Sequence, residues 1–190
     1  MLSVPMNAER AARVGETLPR VGVFRVLVCR TSHSLGNTLF MTPLLQEIEA
    51  QWPGAEVDLI TRYASAAQIF SNYASVRRVF ALPRRFLRHP VQWLKIIHEM
   101  RQVRYDVVID TDVRSKTGRQ LLRLANAHRK LGFSGRRGLS TEVDVLQAPK
   151  HAAQFPVYLL RQGLDVGNEN YPLMSLRLTT AETQWTSLPV

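Results

Sequence analysis

The feature that most constrains the fold of this chain is a regular alternation between short apolar runs and segments with helical periodicity. Residues 23–29 and 105–110 are rich in β-branched residues and apolar on both faces, which is typical of strands buried inside a parallel sheet. This order predicts an α/β fold built on a Rossmann-like, doubly wound parallel sheet. The predicted strands are 23–29, 56–60, 76–82, 105–110, 129–133 and a shorter 142–146; the predicted helices are 41–52, 64–73, 90–103, 115–127 and 151–163.

The length of 190 residues fits one domain, or one domain and a fragment of another. Residues 1–20 are polar and without a clear period, which predicts a loose tail or a short helix. Residues 21–172 form the predicted α/β domain and end in a linker rich in Gly, Asn and Pro. Residues 173–178 alternate like a strand, and residues 179–182 show a helix-capping pattern, so 173–190 predict the start of a truncated second domain.

The net charge of +10 is concentrated in one third of the chain. Between Arg77 and Arg137 there are sixteen Lys and Arg against four acids, whereas the remaining residues carry a net charge of −2. Arg outnumbers Lys twenty-one to four, and its planar fork matches phosphate and carboxylate. The charge therefore favours a surface that faces nucleic acid, anionic lipid or a phosphorylated substrate. The alternative is a coding bias that places Arg on ordinary solvated faces.

Several classes of protein are disfavoured by what the sequence lacks. The single cysteine, Cys29, cannot form an internal disulfide, no stretch approaches the ~20 apolar residues of a membrane span, and the first twenty residues carry no secretory h-region. We therefore expect a cytoplasmic protein. The loop after the first predicted strand contains only Gly36 in place of a G-x-G-x-x-G motif, and no P-loop, G-x-S-x-G, H-E-x-x-H or C-x-x-C occurs. We expect no cofactor and no metal.

Two polar loops follow the two clearest strands, and right-handed crossovers bring such loops to one edge of a sheet. Gly36 would let the backbone approach a ligand, and His33 would be a base near neutral pH. Asp110 and Asp112 would bind sugar hydroxyls, and Arg114 and Lys116 would bind phosphate. Alternatively, the Ser, Thr and Asn side chains cap the following helix, and Asp112 or Ser115 is an N-cap. The candidates in the first loop are Arg30, Ser32, His33, Ser34, Gly36, Asn37 and Thr38, and those in the second are Asp110, Asp112, Arg114 and Lys116.

A basic loop at residues 84–88 precedes the helix at 90–103, which carries aromatic and aliphatic residues including Trp93, Leu94 and Ile97. Basic residues beside apolar ones suit an interface with anionic lipid. The alternative is a helix that packs on its own sheet through the same apolar residues.

The ordered set of segments resembles the amino-terminal half of glycosyltransferase family 9, the ADP-heptose:lipopolysaccharide heptosyltransferases. The most specific matches are Leu35-Gly36-Asn37-Thr38 with Thr42-Pro43-Leu44-Leu45, and the run Tyr105–Asp110; the resemblance covers residues 23–178. It implies one half of a GT-B arrangement, in which the amino-terminal half holds a lipopolysaccharide-core acceptor and the other half holds the nucleotide sugar. It also implies inverting transfer without a catalytic metal, and an inner-membrane surface as a partner.

Two departures from the family pattern shape the predictions. Many members have Asp, the proposed base, where this chain has Asn37, and an amide cannot accept a proton near neutral pH. His33 is then the nearest candidate base. The second departure is length, because almost all of the nucleotide-sugar half is missing. We therefore expect the 190-residue chain alone to be inactive.

The leading hypothesis is a glycosyltransferase domain that transfers a sugar from ADP-heptose or a similar donor to an anionic, lipid-linked glycan at the inner membrane face. Arg136, with Arg129, Lys130 and Arg137, is a candidate for the acceptor phosphates. The first rival is a non-catalytic module that binds glycan or anionic lipid. The second is a nucleic-acid binder, which lacks a recognisable motif and has only 8% aromatic residues; we expect no nucleic-acid partner.

Overall fold

The computed structural model of the protein describes residues 13–32, 34–83, 85, 88–135 and 138–177. Within this part of the chain, strands and helices alternate along most of the sequence. The strands are β1 (Arg13–Gly15), β2 (Arg25–Arg30), β3 (Glu56–Thr61), β4 (Val76–Ala81), β5 (Tyr105–Asp110), β6 (Ala127–Phe133) and β7 (Thr141–Val143). The helices are α1 (Leu35–Leu39), α2 (Met41–Gln51), α3 (Ala66–Phe70), α4 (Pro90–Gln102), α5 (Lys116–Leu124) and α6 (Phe155–Leu164).

The seven strands form one sheet in the order β1-β7-β6-β5-β2-β3-β4. All neighbouring strands are parallel except β1 and β7, which pair antiparallel with Arg13 opposite Val143. From β2 the chain adds β3 and β4 on one side, and then returns to add β5, β6 and β7 on the other. The predicted Rossmann-like α/β fold is confirmed, with one antiparallel strand at its edge.

Helices cover both faces of the sheet, which explains why the central strands are apolar on both sides. Alternate residues of β2 face opposite layers: Val26 and Val28 pack in the cluster with α2, α3 and α6, whereas Leu27 and Cys29 pack in the cluster with α4 and α5. The period of two in strand side chains produces this division. All four residues are 0% exposed, so the hydrophobic effect stabilises the middle of the sheet from both layers.

Proline and glycine residues lie at several of the helix boundaries. Pro90 and Pro156 stand in the first turns of α4 and α6, where the missing N–H costs no intrahelical hydrogen bond. Pro43 is the third residue of α2 and so also lies in a first turn. Gly54 adopts φ 83° in the turn between α2 and β3, a conformation that glycine adopts without strain. Among the described residues, no helix is long and apolar enough to cross a membrane.

Two segments differ from the sequence-based prediction. Residues 13–15 form β1 instead of a tail or helix, and Leu18 behind them is 2% exposed in the core. Residues 173–177 form no strand: the backbone N–H of Ser175 donates to the hydroxyl of Thr42, and its carbonyl accepts from the hydroxyl of Tyr73. The segment therefore lies beside α2 and the turn after α3 instead of pairing with the sheet. The predicted helix start at 179–182 lies outside the described residues.

Candidate functional site

The sheet reverses its direction of growth between β2 and β5. The connection after β2 leads to β3, which pairs with β2 on one side. On its other side β2 pairs with β5, and the connection after β5 leads away from β2, to β6. The loops after these two strands therefore diverge and leave a crevice at their carboxyl ends. In open α/β sheets this is the place where ligands bind. The described residues of both predicted loops, 30–38 and 110–117, border this crevice.

A hydrogen-bond network joins the two loops. Oδ2 of Asp112 accepts from both the backbone N–H and the hydroxyl of Thr31, at 2.7 Å each. The Thr31 hydroxyl also lies 2.5 Å from the hydroxyl oxygen of Ser115. Ser115 caps α5 as well, because its oxygen accepts from the N–H of Gly118 at 2.9 Å. The capping alternative is thus correct for Ser115, while Asp112 holds the first loop instead of a helix.

Arg30 and Asn37 form a second group of hydrogen-bonded side chains beside this network. The Arg30 guanidinium donates to the carbonyl of Thr111 and to the amide oxygen of Asn37, and it lies 3.6 Å from Oδ1 of Asp112. The amide nitrogen of Asn37 donates to the hydroxyl of Ser32 at 2.7 Å. Both ends of the Asn37 side chain are therefore held, and its orientation is fixed by Arg30 on one side and Ser32 on the other.

The first turn of α1 explains the remaining polar residues of the first loop. Ser34 is the N-cap, and its oxygen accepts from the N–H of Asn37 at 3.2 Å. Asn37 is the third residue of the helix and not its cap. The buried hydroxyl of Thr38 donates to the carbonyl of Ser34, whereas Gly36 is exposed with open space around it. Ser34, Thr38 and the Asn37 backbone therefore shape the loop, and Gly36 leaves its surface accessible.

Asp110 is buried beneath α5 and not turned into the crevice. It is 0% exposed, and its Oδ1 accepts from the backbone N–H of Asp112 at 3.1 Å. A Cβ atom placed on Gly118 would lie 2.6 Å from Oδ2 of Asp110, so only glycine fits above this carboxylate. The predicted contact of Asp110 with a sugar hydroxyl does not match this burial. We assign Asp110 a positioning role for the Asp112 loop.

Cations surround the mouth of the crevice. Arg114 and Lys116 are exposed, and they line a hollow of 340 Å³ together with Thr31, Ser32, Asp112 and Arg62. Arg62 directly follows β3, and its guanidinium donates to the hydroxyl of Thr117 at 2.7 Å. Arg62 also lines two further cavities of 420 and 360 Å³ at the same edge. This arrangement suits a polyhydroxylated ligand that carries negative charge, with hydroxyl partners in the crevice and cations around it.

Apart from Ser34, Gly36 and Thr38, which lie in or cap α1, and the buried Asp110, the predicted site residues fall into three groups. Arg30, Ser32, Asn37 and Asp112 lie together, Arg114 and Lys116 lie at the rim, and His33 and Arg136 lie outside the described residues. Arg129, a residue of β6, forms an ion pair with Glu16 at 2.7 Å. Sequence reasoning missed Arg62 as a member of the site, and it included Thr31 and Thr117 only as parts of the two loops. Arg62 follows its strand directly, so the rule applied to the loops after β2 and β5 would have found it.

Comparison with solved structures shows the fold of known glycosyltransferases. No family model matches the sequence, and no curated protein matches it either. Among solved structures, heptosyltransferase WaaC from E. coli with ADP is 25% identical, with a TM-score of 0.64 over 87% of this chain and 54% of that one. WaaC has also been solved with ADP-2-deoxy-2-fluoro heptose, a structure that is 22% identical to this chain with a TM-score of 0.62.

Two further solved structures match over a similar range. ADP-heptose lps heptosyltransferase II from E. coli is 18% identical, with a TM-score of 0.63 over 86% of this chain and 49% of that one. A family 9 glycosyltransferase from Veillonella parvula is 14% identical, with a TM-score of 0.68 over 86% of this chain and 47% of that one. The chain thus spans about half the length of each solved structure. The resemblance predicted from the sequence is confirmed: over most of its length, the chain has the α/β fold of the family 9 heptosyltransferases, and this similarity supports a glycosyltransferase-like function.

Proposed function

We propose that this chain provides the acceptor side of a glycosyltransferase. The enzyme would move a sugar from a nucleotide-sugar donor, ADP-heptose or a similar one, to a lipopolysaccharide-core or similar anionic glycan. The observation that carries the proposal is the fold match to heptosyltransferases, two structures of which hold ADP or an ADP-heptose analogue. The crevice between β2 and β5 supports it, because its polar groups and surrounding cations suit such an acceptor.

The transfer would be a single displacement. An acceptor hydroxyl attacks the anomeric carbon of the donor sugar, the bond from that carbon to the diphosphate breaks, and a base takes the hydroxyl proton. The configuration at the anomeric carbon is inverted. The nucleoside diphosphate leaves with the electron pair of the broken bond. We propose His33 as the base, because the amide of Asn37 cannot take a proton and is already held by Arg30 and Ser32.

The described residues would then act in distinct ways. Asp112 and Thr31 fix the distance between the two loops, and Arg30 orients Asn37 towards the acceptor. Arg62, Arg114 and Lys116 attract the negative charge of the acceptor. The reaction also needs a second half that binds the donor. We propose that the whole enzyme acts in the cytoplasm. Holding both reactants in reactive geometry supplies much of the rate, so we expect the 190-residue chain alone to give no turnover.

Acceptor binding to the 190-residue chain tests the proposal directly. A phosphorylated inner-core oligosaccharide is titrated by calorimetry against the native chain and against Arg62→Gln, with Arg78→Gln as a control of equal charge. Arg78 is exposed on β4 and lies outside every described cavity at the crevice. We expect binding that weakens roughly 10- to 150-fold in Arg62→Gln and not in the control, since a charge-assisted hydrogen bond contributes ~1.5–3 kcal/mol.

Turnover separates the enzyme from a binding module. The chain is tested alone and joined to a nucleotide-sugar-binding half, with ADP-heptose as donor. Transfer by the two-domain form and none by the chain alone supports the proposal. Acceptor binding without transfer in the two-domain form supports the non-catalytic rival. Absence of acceptor binding, with a folded chain shown by circular dichroism, contradicts both.

A further inference from the structure

The cavity of 420 Å³ at the carboxyl edge of the sheet lies between helices α4 and α5. We propose that this cavity, called here the α4–α5 cavity, is a binding site for an amphipathic carboxylate, a ligand with one anionic end and an apolar body. Native interiors contain few voids larger than a water molecule, whereas small-molecule sites enclose ~300–1,000 Å³. The size of the α4–α5 cavity therefore indicates a ligand site rather than imperfect packing.

The wall of the α4–α5 cavity is mainly apolar. Trp93 and Ile97 lie one turn apart on α4, and Leu121 and Leu124 lie about one turn apart on α5. Trp93 also packs against the sheet together with Ile96, so the packing alternative for this helix is correct for its inner residues. Leu124 is 38% exposed, so the wall is accessible from solvent. An aliphatic or aromatic body gains by leaving water for such a wall.

One end of the α4–α5 cavity is cationic. Among the described residues that line it, Arg62 is the single charged one. The Arg62 guanidinium donates to the hydroxyl of Thr117 at 2.7 Å, which holds it at the first turn of α5. A guanidinium pairs with a carboxylate through two parallel hydrogen bonds. One cation balances one negative charge, which favours a monocarboxylate over a phosphate.

The length of α5 sets the length of the ligand. Thr117 is the second residue of the helix and Leu124 is its last. A rise of about 1.5 Å per residue places these two positions about 10 Å apart along the helix axis. A ligand that spans them is a medium-length alkyl or arylalkyl carboxylate, longer than acetate and shorter than a long-chain fatty acid.

The α4–α5 cavity differs in chemistry from the hollow at the crevice mouth, although the two share Arg62 and Thr117. Several cations and hydroxyl groups line the hollow at the crevice mouth, which suits a polyhydroxylated anion. The uncharged polar side chains in the described lining of the α4–α5 cavity are Thr117 and Gln120, and the rest of its wall is apolar apart from Arg62 and the indole N–H of Trp93. A carboxylate on Arg62 would compete with the anionic acceptor for that guanidinium. This competition rests on the proposed function, whereas binding of the carboxylate does not.

Calorimetric titration of octanoate tests recognition of the carboxylate, with octanol as the uncharged analogue. We expect octanoate to bind the native chain more tightly than octanol. Arg62→Gln should weaken octanoate binding roughly 10- to 150-fold, because a charge-assisted hydrogen bond is lost, and should leave octanol binding unchanged. Absence of octanoate binding to the native chain would overturn the site. Equal affinity for the two ligands, or equal losses of both in Arg62→Gln, would overturn recognition of the carboxylate.

Two variants that add the same charge test the location. Leu124→Glu places a carboxylate at the apolar end of the α4–α5 cavity, whereas Leu94→Glu adds one to α4 at a position that is 62% exposed and outside the cavity lining. We expect octanoate binding to weaken roughly tenfold or more in Leu124→Glu, because an apolar contact is lost and like charges approach. Leu94→Glu should bind nearly as the native chain does. Equal losses, with both variants folded by circular dichroism, would show that net charge is responsible and would overturn the proposal.

Tryptophan fluorescence gives a second readout of the location. Trp93 lines the α4–α5 cavity, whereas Trp52 is buried in the opposite layer. Octanoate should change the fluorescence of the native chain, and Trp93→Phe should abolish that change while calorimetry still detects binding. A change that persists in Trp93→Phe would place the ligand elsewhere and contradict the site.

The competition is tested separately from the site. The phosphorylated oligosaccharide is titrated against the native chain with and without saturating octanoate, and we expect weaker binding when octanoate is present. Unchanged affinity for the oligosaccharide would overturn the competition. The octanoate titrations involve neither acceptor nor sugar transfer, so failure of the site and failure of the proposed function are distinguished.

Discussion

A single carboxylate oxygen of Asp112 accepts two hydrogen bonds from Thr31, one from its backbone N–H and one from its hydroxyl, each of 2.7 Å. The two residues belong to loops more than eighty positions apart in the chain, and these loops follow the two strands between which the sheet reverses its growth. The width of the crevice therefore depends on this contact.

Replacing Asp112 tests that dependence, and Asp106 provides a matched control. At the opposite end of the same two strands, Oδ2 of Asp106 accepts from the backbone N–H groups of Phe24 and Arg25. We expect Asp112→Ala and Asp106→Ala each to lower the free energy of unfolding by about 1–3 kcal/mol, because each loses hydrogen bonds to a charged group. Only Asp112→Ala should weaken acceptor binding. Equal effects of both variants on acceptor binding would show that stability, and not the crevice, controls affinity.

The second prediction concerns Asn37 and His33. In a two-domain form, His33→Ala should lower turnover by roughly 10²–10⁴-fold, the usual range for loss of a general base. Asn37→Asp should be tolerated, because the new carboxylate would face Arg30 and the hydroxyl of Ser32, which already hold the amide. Asn37→Ala should cost less turnover than His33→Ala. Steady-state kinetics of the three variants decide the matter, and normal turnover in His33→Ala would rule out this base.

A further prediction for the same loop concerns its stability and not turnover. Ser34 is the N-cap of α1, so Ser34→Ala should lower the free energy of unfolding by ~1 kcal/mol. Thermal melts of Ser34→Ala and Asn37→Ala compare the cap with the third residue of the helix. Asn37→Ala also loses the side-chain hydrogen bonds to Arg30 and Ser32, so the assignment of the cap is contradicted only by an unchanged melting temperature in Ser34→Ala.

The third prediction uses two glycines in the first turns of helices. At Gly118 an added Cβ would meet the buried carboxylate of Asp110 at 2.6–2.7 Å, whereas at Gly36 it would meet nothing within 4 Å. Gly118→Ala should therefore destabilise the fold by about 1–3 kcal/mol, the usual cost of overpacking. Gly36→Ala should change stability by less than ~1 kcal/mol, in the stabilising direction. Urea unfolding measures both, and equal stabilities would show that Asp110 moves aside freely.

The fourth prediction is a loss of stability in alkali. Burial raises the pKa of Tyr158 to about 12, and the carboxylate of Asp144 nearby contributes in the same direction. In the unfolded chain a tyrosine loses its proton near pH ~10, so this contribution to stability is complete below that pH and is lost as the pH rises towards 12. The melting temperature should therefore fall less between about pH 8 and about pH 11 in Tyr158→Phe than in the native chain. An identical fall would remove Tyr158 as the cause.

The central strands were predictable because their local hydrophobic pattern and their tertiary environment both favour a buried strand. Tyr105–Asp110 is apolar on both faces and is covered by helices on both faces, so local pattern and tertiary environment agree. Residues 13–15 have no such pattern, and they become a strand only because β7 offers them an edge. Residues 173–177 have the alternating pattern, but hydrogen bonds to α2 and to Tyr73 in the turn after α3 hold them away from any strand. Tertiary contacts decided both cases.

The candidate site was predictable in its position and less so in its details. The loops after β2 and β5 meet because parallel strands end at one edge, and that much follows from the order of elements. The burial of Asp110 was missed although a signal existed. Side chains alternate along a strand, so Asp110 shares a face with Val108, which packs in the cluster with α4 and α5. The contact between Thr31 and Asp112 has no sequence signal, since it joins side chains on two irregular loops.

The antiparallel pairing of β1 with β7 has a consequence for how the protein is made. A ribosome releases residues 13–15 long before residues 141–143, and Arg13 must find Val143 across 130 positions. Contacts so distant in sequence form late, because the intervening chain loses entropy when the loop closes. Until then β7 presents an open strand edge that another nascent chain could occupy. Among the described strands, the one synthesised first thus pairs with the one synthesised last, and its arrival covers the open edge of β7.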